Sequence, residues 1–210
     1  PATKAELDDA SGDVLWNEGD MIYVKCDSWE AEYMLDPSSA GSTSGVFTWD
    51  GRTSFSGTGD SPVISKGSTY SAYSPDRVDT WKTNQSYSET LKYIPMKAES
   101  VAEEDGSVAF GFNNLGGILR LTVKGSGTVA SVRLDVDEFI SGDIVSIEKG
   151  SDGKFIAVMG SSKASGKRYV EIDCGSGVAL SDEGTVFYLS IPCCTFKKED
   201  GTFVIDEYSG

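Results

Sequence analysis

Acidic side chains dominate the chemistry that this chain can offer. Its 210 residues include 33 Asp or Glu and 18 Lys or Arg, which gives a net charge of −15. The densest cluster is Asp135, Asp137 and Glu138, at the end of a predicted strand. Carboxylates bind calcium, but a calcium-binding hand needs a loop of about twelve residues with a central Gly and a closing Glu. Because this cluster lacks that spacing, we interpret it as a solvated strand end and predict no metal site.

Histidine is absent from the chain. This removes the commonest general acid or base and the commonest metal ligand, and no Ser-His-Asp or Cys-His nucleophile can be built. A glycosidase that uses two carboxylates needs no histidine, so it stays an alternative, although nothing in the sequence selects a pair. The Gly-rich run at 113–117 precedes a strand, whereas a phosphate cradle needs a helix behind it. We therefore predict that the protein is not an enzyme and uses no cofactor.

The four tryptophans offer a different chemistry, since exposed indole rings can form a platform for sugars. Trp16 lies in an apolar run before a turn and is predicted to be core. Trp29 and Trp49 have acidic neighbours, which favours exposure, and they are the candidate ligand-contact residues. Trp81 is expected to pin a connecting segment to a domain face. A carbohydrate-binding surface module that uses Trp29 and Trp49 is therefore an alternative function.

The four cysteines follow no zinc-binding or redox spacing. Cys26 and Cys174 each continue an apolar strand face, which predicts small core residues. Cys193 and Cys194 are adjacent, so their side chains point to opposite faces of an extended chain. We expect mostly free thiols.

The negative charge limits the partners. An acidic surface repels phosphate backbones and disfavours anionic lipid headgroups, so no nucleic acid partner is expected. No apolar run approaches the roughly 18 residues of a membrane helix. The chain is rich enough in apolar residues, at 39%, to bury a sizeable core.

Period-two alternation predicts that the chain is all-β. Leu119, Leu121 and Val123 alternate with polar residues, so one face of this strand is apolar. Similar segments recur about every ten residues and are separated by Gly-rich or Asp-Gly turns, which is typical of β-sandwiches. The predicted strands cover residues 21–26, 32–35, 45–49, 69–73, 107–112, 118–124, 129–136, 142–149, 154–159, 168–174, 185–191 and 202–205.

Residues 76–99 show no sustained periodicity, and we interpret them as a long connection with at most a short helical turn before Pro95. This predicts an N-terminal sandwich domain at 1–100, which includes that connection, and a C-terminal sandwich domain at 101–210. The two are expected to meet near residues 95–110.

Several segments, in order, resemble the fimbrillin-like family of fimbrial subunits from anaerobic gut and oral bacteria. The block Trp16-Asn-Glu-Gly19-Asp20-Met-Ile22-Tyr-Val24 resembles the opening motif of that family, with the pattern W-x-x-G-D-x-I-x-V. Further matching segments cover residues 33–47, 70–75, 94–98, 112–123 and 187–203. Together they span nearly the whole chain.

The resemblance implies two tandem transthyretin-like, Greek-key β-sandwiches with little helix. It implies export as a lipoprotein precursor and display at the cell surface, on the outer membrane or in a fimbria (pilus). It also implies assembly with other fimbrial subunits by strand donation, a form of β-augmentation. Family members continue past the segment that resembles 202–210, so we expect the C-terminal sandwich to be truncated. The prediction is thus a non-enzymatic fimbrial subunit or adhesin, with host or microbial surface glycans as further partners.

Overall fold

The structure is a computed structural model, and it describes residues 6–8, 10–75, 77–88, 94–192 and 201–207. Within these ranges nearly all the regular secondary structure is β-strand, and the single helical element is a 3-10 turn at Pro37–Ser39. None of the described helical structure has the length and apolarity needed to span a membrane. The predicted all-β class is confirmed, whereas the tandem transthyretin-like topology stays a prediction.

The chain folds into two compact units. The first combines Pro1–Val78 with Lys92–Asn114, and the second combines Asp79–Leu91 with Leu115–Gly210. These segments differ from the predicted limits of 1–100 and 101–210. The interpretation of 76–99 as a connection is wrong, because this stretch contains two strands of the second unit and the start of a strand of the first. The predicted turn before Pro95 lies largely outside the described residues.

The first unit is built around one antiparallel sheet. Its strands are β1 (Glu6–Leu7), β2 (Val14–Leu15), β3 (Met21–Lys25), β4 (Trp29–Leu35), β5 (Phe47–Thr48), β6 (Phe55–Gly57), β7 (Thr69–Ser74), β10 (Met96–Val101) and β11 (Asn113–Asn114). The main sheet has the order β11-β10-β7-β3-β4-β5, with β6 also beside β4, while β1 and β2 form a separate pair.

Alternation along β3 gives this sheet two different faces. Ile22 and Val24 point to the inner face, where they are buried, while Tyr23 between them points to the outer face. On the outer face the Arg77 guanidinium lies 4.8 Å from the centre of the Tyr23 ring, a cation–π contact. The inner face is the apolar one, and it needs a second layer to cover it.

The second unit has more and longer strands. They are β8 (Thr80–Trp81), β9 (Asn84–Ser86), β12 (Gly116–Val123), β13 (Thr128–Asp135), β14 (Ser141–Lys149), β15 (Phe155–Met159), β16 (Gly166–Lys167), β17 (Tyr169–Ala179), β18 (Thr185–Pro192) and β19 (Thr202–Glu207). A four-stranded sheet has the order β19-β13-β17-β9, β12 and β18 form a two-stranded sheet, and β14 joins β15, β16 and β8.

The core of the second unit lies between the four-stranded sheet and the β12–β18 pair. The fully buried members come from both layers and are Val129, Val132, Leu134, Val136, Ile140, Val170, Ile172, Cys174, Phe187 and Leu189. Leu119, Leu121 and Val123 pack against them but are only partly buried. The predicted alternation of β12 is confirmed, since Arg120 and Thr122 are exposed, yet the apolar row is less deeply buried than a central strand would be.

Candidate functional site: an apolar gap in the first unit

In the first unit a cavity lies over the inner face of the sheet, and we call this cavity the gap. The cavity there has a volume of about 870 Å³. Ile22, Val24 and Met96 form part of its floor. One wall contains residues 12–14 and a second contains residues 106–112. The gap therefore has a floor of apolar side chains that are about 3% exposed, and it lies between two lengths of backbone.

The wall at 107–112 has the side-chain pattern of a strand. Val108, Phe110 and Phe112 are partly buried, while Ser107, Ala109 and Gly111 between them are exposed. The Phe112 ring packs against Trp16 with centroids 5.6 Å apart and against Phe110 with centroids 6.2 Å apart. These aromatic contacts hold the segment over the sheet.

This wall nevertheless belongs to no sheet. The sequence predicts a strand at 107–112, but the structure assigns none there, so that prediction is wrong. Among the described residues, no hydrogen bond is made by the backbone N–H groups of 108–112. Besides the ring contacts, the Ser107 carbonyl accepts the Glu103 N–H at 2.9 Å, and the Gly111 carbonyl accepts the Asn113 side-chain N–H at 3.2 Å. The N–H groups of 108–112 have no partner among the described residues and are available to another strand.

The opposite wall also offers backbone groups. Asp8 donates its N–H to the Asp13 carbonyl at 2.8 Å, and Leu7 is paired with Val14. Hydrogen-bonded and non-hydrogen-bonded pairs alternate in an antiparallel ladder. The N–H and C=O of Val14 therefore point away from β1, and no described residue bonds to them. Both walls thus present ladder groups.

The electrostatics of the gap are those of an apolar site. Asp13 is the only carboxylate among the described residues that line it. Burial raises the pKa of the Tyr33 phenol to about 12, and the neighbouring Tyr70 and Cys26 add to the rise. Tyr33 therefore stays neutral at ordinary pH. At the start of the 107–112 wall, the Ser107 hydroxyl and then its N–H lower the pKa of Asp105, whose carboxylate accepts that N–H at 2.9 Å.

The candidate sugar-binding tryptophans lie elsewhere. Trp29 is only 7% exposed, and its indole N–H donates to the Val63 carbonyl at 3.0 Å. The prediction that Trp29 is exposed is therefore wrong, because its ring packs into the inner face of the sheet beside Tyr70. Trp49 is half-buried against Phe55, with ring centroids 6.1 Å apart. Neither ring lines the gap.

The remaining two tryptophans are core residues, which is the prediction for Trp16, whereas Trp81 is predicted to pin a connecting segment to a domain face. Trp16 is buried and lines the gap, and Trp81 is fully buried in the second unit. The Trp81 indole N–H donates to the Ser190 carbonyl at 3.0 Å. Its anchoring role is the one expected from its position in the aperiodic stretch.

The polar clusters show no metal geometry. Within the described ranges, no group of three or more Cys, Asp or Glu side chains is arranged to hold a metal ion. Asp135 accepts a hydrogen bond from Arg133 at 2.8 Å. Cys174 is buried and free, and Cys26 is free but only partly buried, so the core prediction holds for Cys174 alone. Cys193 and Cys194 lie outside the described residues.

Comparisons with protein-family models, with curated proteins and with solved structures find no match for this chain. The resemblance to the fimbrillin-like family therefore stays a prediction based on the order of its motifs. A functional proposal for this chain therefore depends on the geometry of the gap.

Sequence reasoning missed the gap but not all of its residues. The signal for the 107–112 wall is its alternation of large apolar residues with Ser, Ala and Gly. The signal for the other wall is weak, because a two-residue strand has no period. The missing neighbour cannot be read from either segment, since strand pairing is a property of the tertiary fold.

Proposed function

We propose that this protein is a non-enzymatic surface subunit or adhesin that assembles by accepting an extended strand into the gap of its first unit. The observation that carries the proposal is the gap itself, an apolar floor bordered by two backbone segments with unused ladder groups. An extended strand supplies what the site lacks, namely backbone partners for both walls and apolar side chains for the floor.

A strand fits these features better than a small polar ligand does. Small-molecule sites usually combine an apolar lining with a few convergent polar groups that fix orientation. Here the walls offer backbone N–H groups at 108–112 and the N–H and C=O of Val14, which are groups that another backbone can pair with. The burial of Trp29 weakens the carbohydrate alternative, which depended on that ring and on Trp49 as a platform.

Family membership, outer-membrane or fimbrial localisation and other fimbrial subunits as partners belong to the same proposal. They rest on the motif resemblance, and strand acceptance in the gap is the part that the geometry supports. The absence of a histidine and the lack of a selected carboxylate pair support a non-enzymatic role.

The test uses a synthetic peptide of about nine residues, the length of a long strand, in which valine alternates with threonine. Fluorescence anisotropy measures its binding, and hydrogen exchange with mass spectrometry locates it. We expect slower exchange in residues 12–16 and 107–112 when the peptide is bound. The same peptide with a central proline is the control, because proline removes a ladder donor.

Two neighbouring substitutions distinguish the groove from the surface. Val108→Arg places a charge on the half-buried row, whereas Ala109→Arg places the same charge on the exposed side of the same segment. We expect the first to abolish peptide binding and the second to preserve it, with circular dichroism checking that both fold. Equal binding by both variants, or binding without protection of either wall, would contradict the proposal.

A further inference from the structure

The second unit has one closed edge and one open edge. At the closed edge, Gln85 on β9 bonds to the backbone of β18, where its amide N–H donates to the Ser190 carbonyl at 2.7 Å. The Ser190 N–H donates to the Gln85 side-chain oxygen at 2.8 Å. On the other side of β18 lies β12, and no described strand pairs with the far edge of β12.

The register shows which groups of β12 face the open edge. Ser190 is paired with Ile118 but gives its N–H to Gln85, so Ile118 and Ser190 form a non-hydrogen-bonded pair. The backbone N–H and C=O of Ile118 therefore point away from β18, and those of Thr122 follow the same alternation. No described residue bonds to these backbone groups.

Two apolar side chains of β19 are exposed although they belong to the core face. In β19, Phe203 is paired with Leu134, and Ile205 is paired with Val132. Directly paired residues point to the same face of a sheet, and Leu134 and Val132 are in the core. Yet Phe203 and Ile205 are each 39% exposed.

The strand order explains this exposure. β18 is tied to the β9 side of the four-stranded sheet, β12 lies beyond β18, and β19 forms the opposite border of the four-stranded sheet. Among the described residues, the layer that contains β12 therefore has no further strand on the β12 side.

The charge of β12 indicates what kind of strand fits. Arg120 lies on the exposed side of β12, and Lys124, which directly follows the strand, is also exposed. Residues 116–124 include no Asp or Glu. The surrounding chain has a net charge of −15. Acidic side chains on a neighbouring strand would form favourable cross-strand pairs with these two cations.

We propose that the open β12 edge is a second docking surface, which binds an extended segment of another protein in which apolar residues alternate with Asp or Glu. The apolar residues would cover Phe203, Ile205 and Leu121, and the acidic residues would lie beside Arg120 and Lys124. A second copy of this chain is a poorer occupant, because it would bring the same cations to the contact. This surface is independent of the gap in the first unit.

The experiment compares two labelled peptides of about nine residues, one that alternates valine with glutamate and one that alternates valine with lysine. Fluorescence anisotropy gives the affinities, and hydrogen exchange gives the site. We expect the glutamate peptide to bind about tenfold more tightly or better, and to protect residues 118–122 but not 107–112. Added salt should reduce the preference, since these charges are exposed.

Charge reversal tests the assignment. The double variant Arg120→Glu with Lys124→Glu should invert the preference toward the lysine peptide. The matched control, Lys154→Glu with Lys163→Glu, makes the same change in net charge at exposed positions elsewhere in the second unit and should leave the preference unchanged. Equal shifts in both double variants would show a non-specific charge effect and overturn the proposal.

Phe203→Ala tests the apolar part without adding charge. It should weaken glutamate-peptide binding by about fivefold to tenfold, because the peptide then buries less apolar surface, while leaving protection of the gap walls by the valine–threonine peptide unchanged. Failure of the glutamate peptide to bind would overturn the proposal, and so would concentration-dependent self-association that protects 118–122 without peptide. Loss of valine–threonine binding at the gap alone would overturn only the proposed function.

Discussion

At the β9 side of the second unit, the Gln85 side chain occupies the place of a neighbouring strand, whereas at the far side of β12 no described residue does so. Both edges border the same apolar core. They differ in whether the ladder groups of the outer strand have partners. The comparison shows that an edge is closed when the backbone groups of its outer strand have hydrogen-bond partners.

The first unit extends the comparison. Its gap has unused backbone groups on two sides, at Val14 and along 107–112, whereas the β12 edge has them on one side. A strand entering the gap would be held from both sides, while a strand at β12 would be held from one. We therefore expect the gap to bind strands more tightly and the β12 edge to bind them more selectively by charge.

The largest expected effect is at the closed edge, where Trp81→Ala removes a fully buried ring. The cost should be about 3–5 kcal/mol in the free energy of unfolding. Gly116 packs against this ring so closely that a Cβ atom there would approach the Trp81 Cη2 atom to 2.5 Å, so the site is shaped around it. Urea unfolding followed by circular dichroism measures the loss. The exposed neighbour Lys82→Ala is the control, and an equal loss in both variants would contradict this account.

A second prediction compares core depth. Leu134→Ala, at a position only 1% exposed, should cost about 2–5 kcal/mol. Leu121→Ala should cost less, about 1–2 kcal/mol, because the open edge leaves that side chain only partly buried. Both variants are measured by urea unfolding. Adding the valine–glutamate peptide should widen the difference in unfolding free energy between Leu121→Ala and the wild type, since the peptide buries Leu121 further. Equal losses for Leu134→Ala and Leu121→Ala without peptide would show that the β12 edge is not open.

A third prediction concerns the glutamine that closes the β9 edge. Gln85→Ala leaves the buried Ser190 N–H without its partner, while the Ser190 carbonyl keeps the bond from Trp81. One orphaned backbone group should cost about 1–3 kcal/mol. The exposed neighbour Asn84→Ala should be close to neutral in the same unfolding measurement. Hydrogen exchange should also become faster at Ser190 in the Gln85 variant, and unchanged exchange there would contradict the proposed closure.

The sequence predicts the strands of this fold better than their neighbours. The alternation of Leu119, Leu121 and Val123 correctly indicates which side chains of β12 face the core, because period-two burial is a local property. Their partial burial depends on what lies beyond β12, where no described strand is paired, and no local pattern records this. For the same reason 107–112 has a strand-like pattern and yet belongs to no sheet.

The tryptophans and the short strands show the same limit. Acidic neighbours suggested that Trp29 is exposed, but its place in β4 turns the ring inward, and strand direction decides burial more strongly than adjacent charge. Strands β8 and β9 have two and three residues, too few for a detectable period. Their pairing is stabilised by Trp81 and Gln85, whose bonds to Ser190 join residues more than a hundred positions apart.

The smallest effect is expected from pH, and it compares the two units through one buried acid in each. Burial, and then Asp173, raises the pKa of the Cys174 thiol from 9.0 to about 11, while burial raises that of Tyr33 from 10.0 to about 12. Below about pH 9 both groups are protonated in the folded and unfolded chain, so their contribution is fully present. As pH rises toward the pKa values of the folded chain, the unfolded chain releases protons that the folded chain keeps, and stability falls.

Cys174→Ala should reduce this fall in stability mainly between about pH 9 and 11, and Tyr33→Phe mainly between about pH 10 and 12. Both are measured by urea unfolding at a series of pH values. Peptide in the gap should delay the ionisation of Tyr33, followed by near-ultraviolet absorbance, without affecting the Cys174 part of the curve. An alkaline fall that neither substitution changes would show that these two buried groups do not control it.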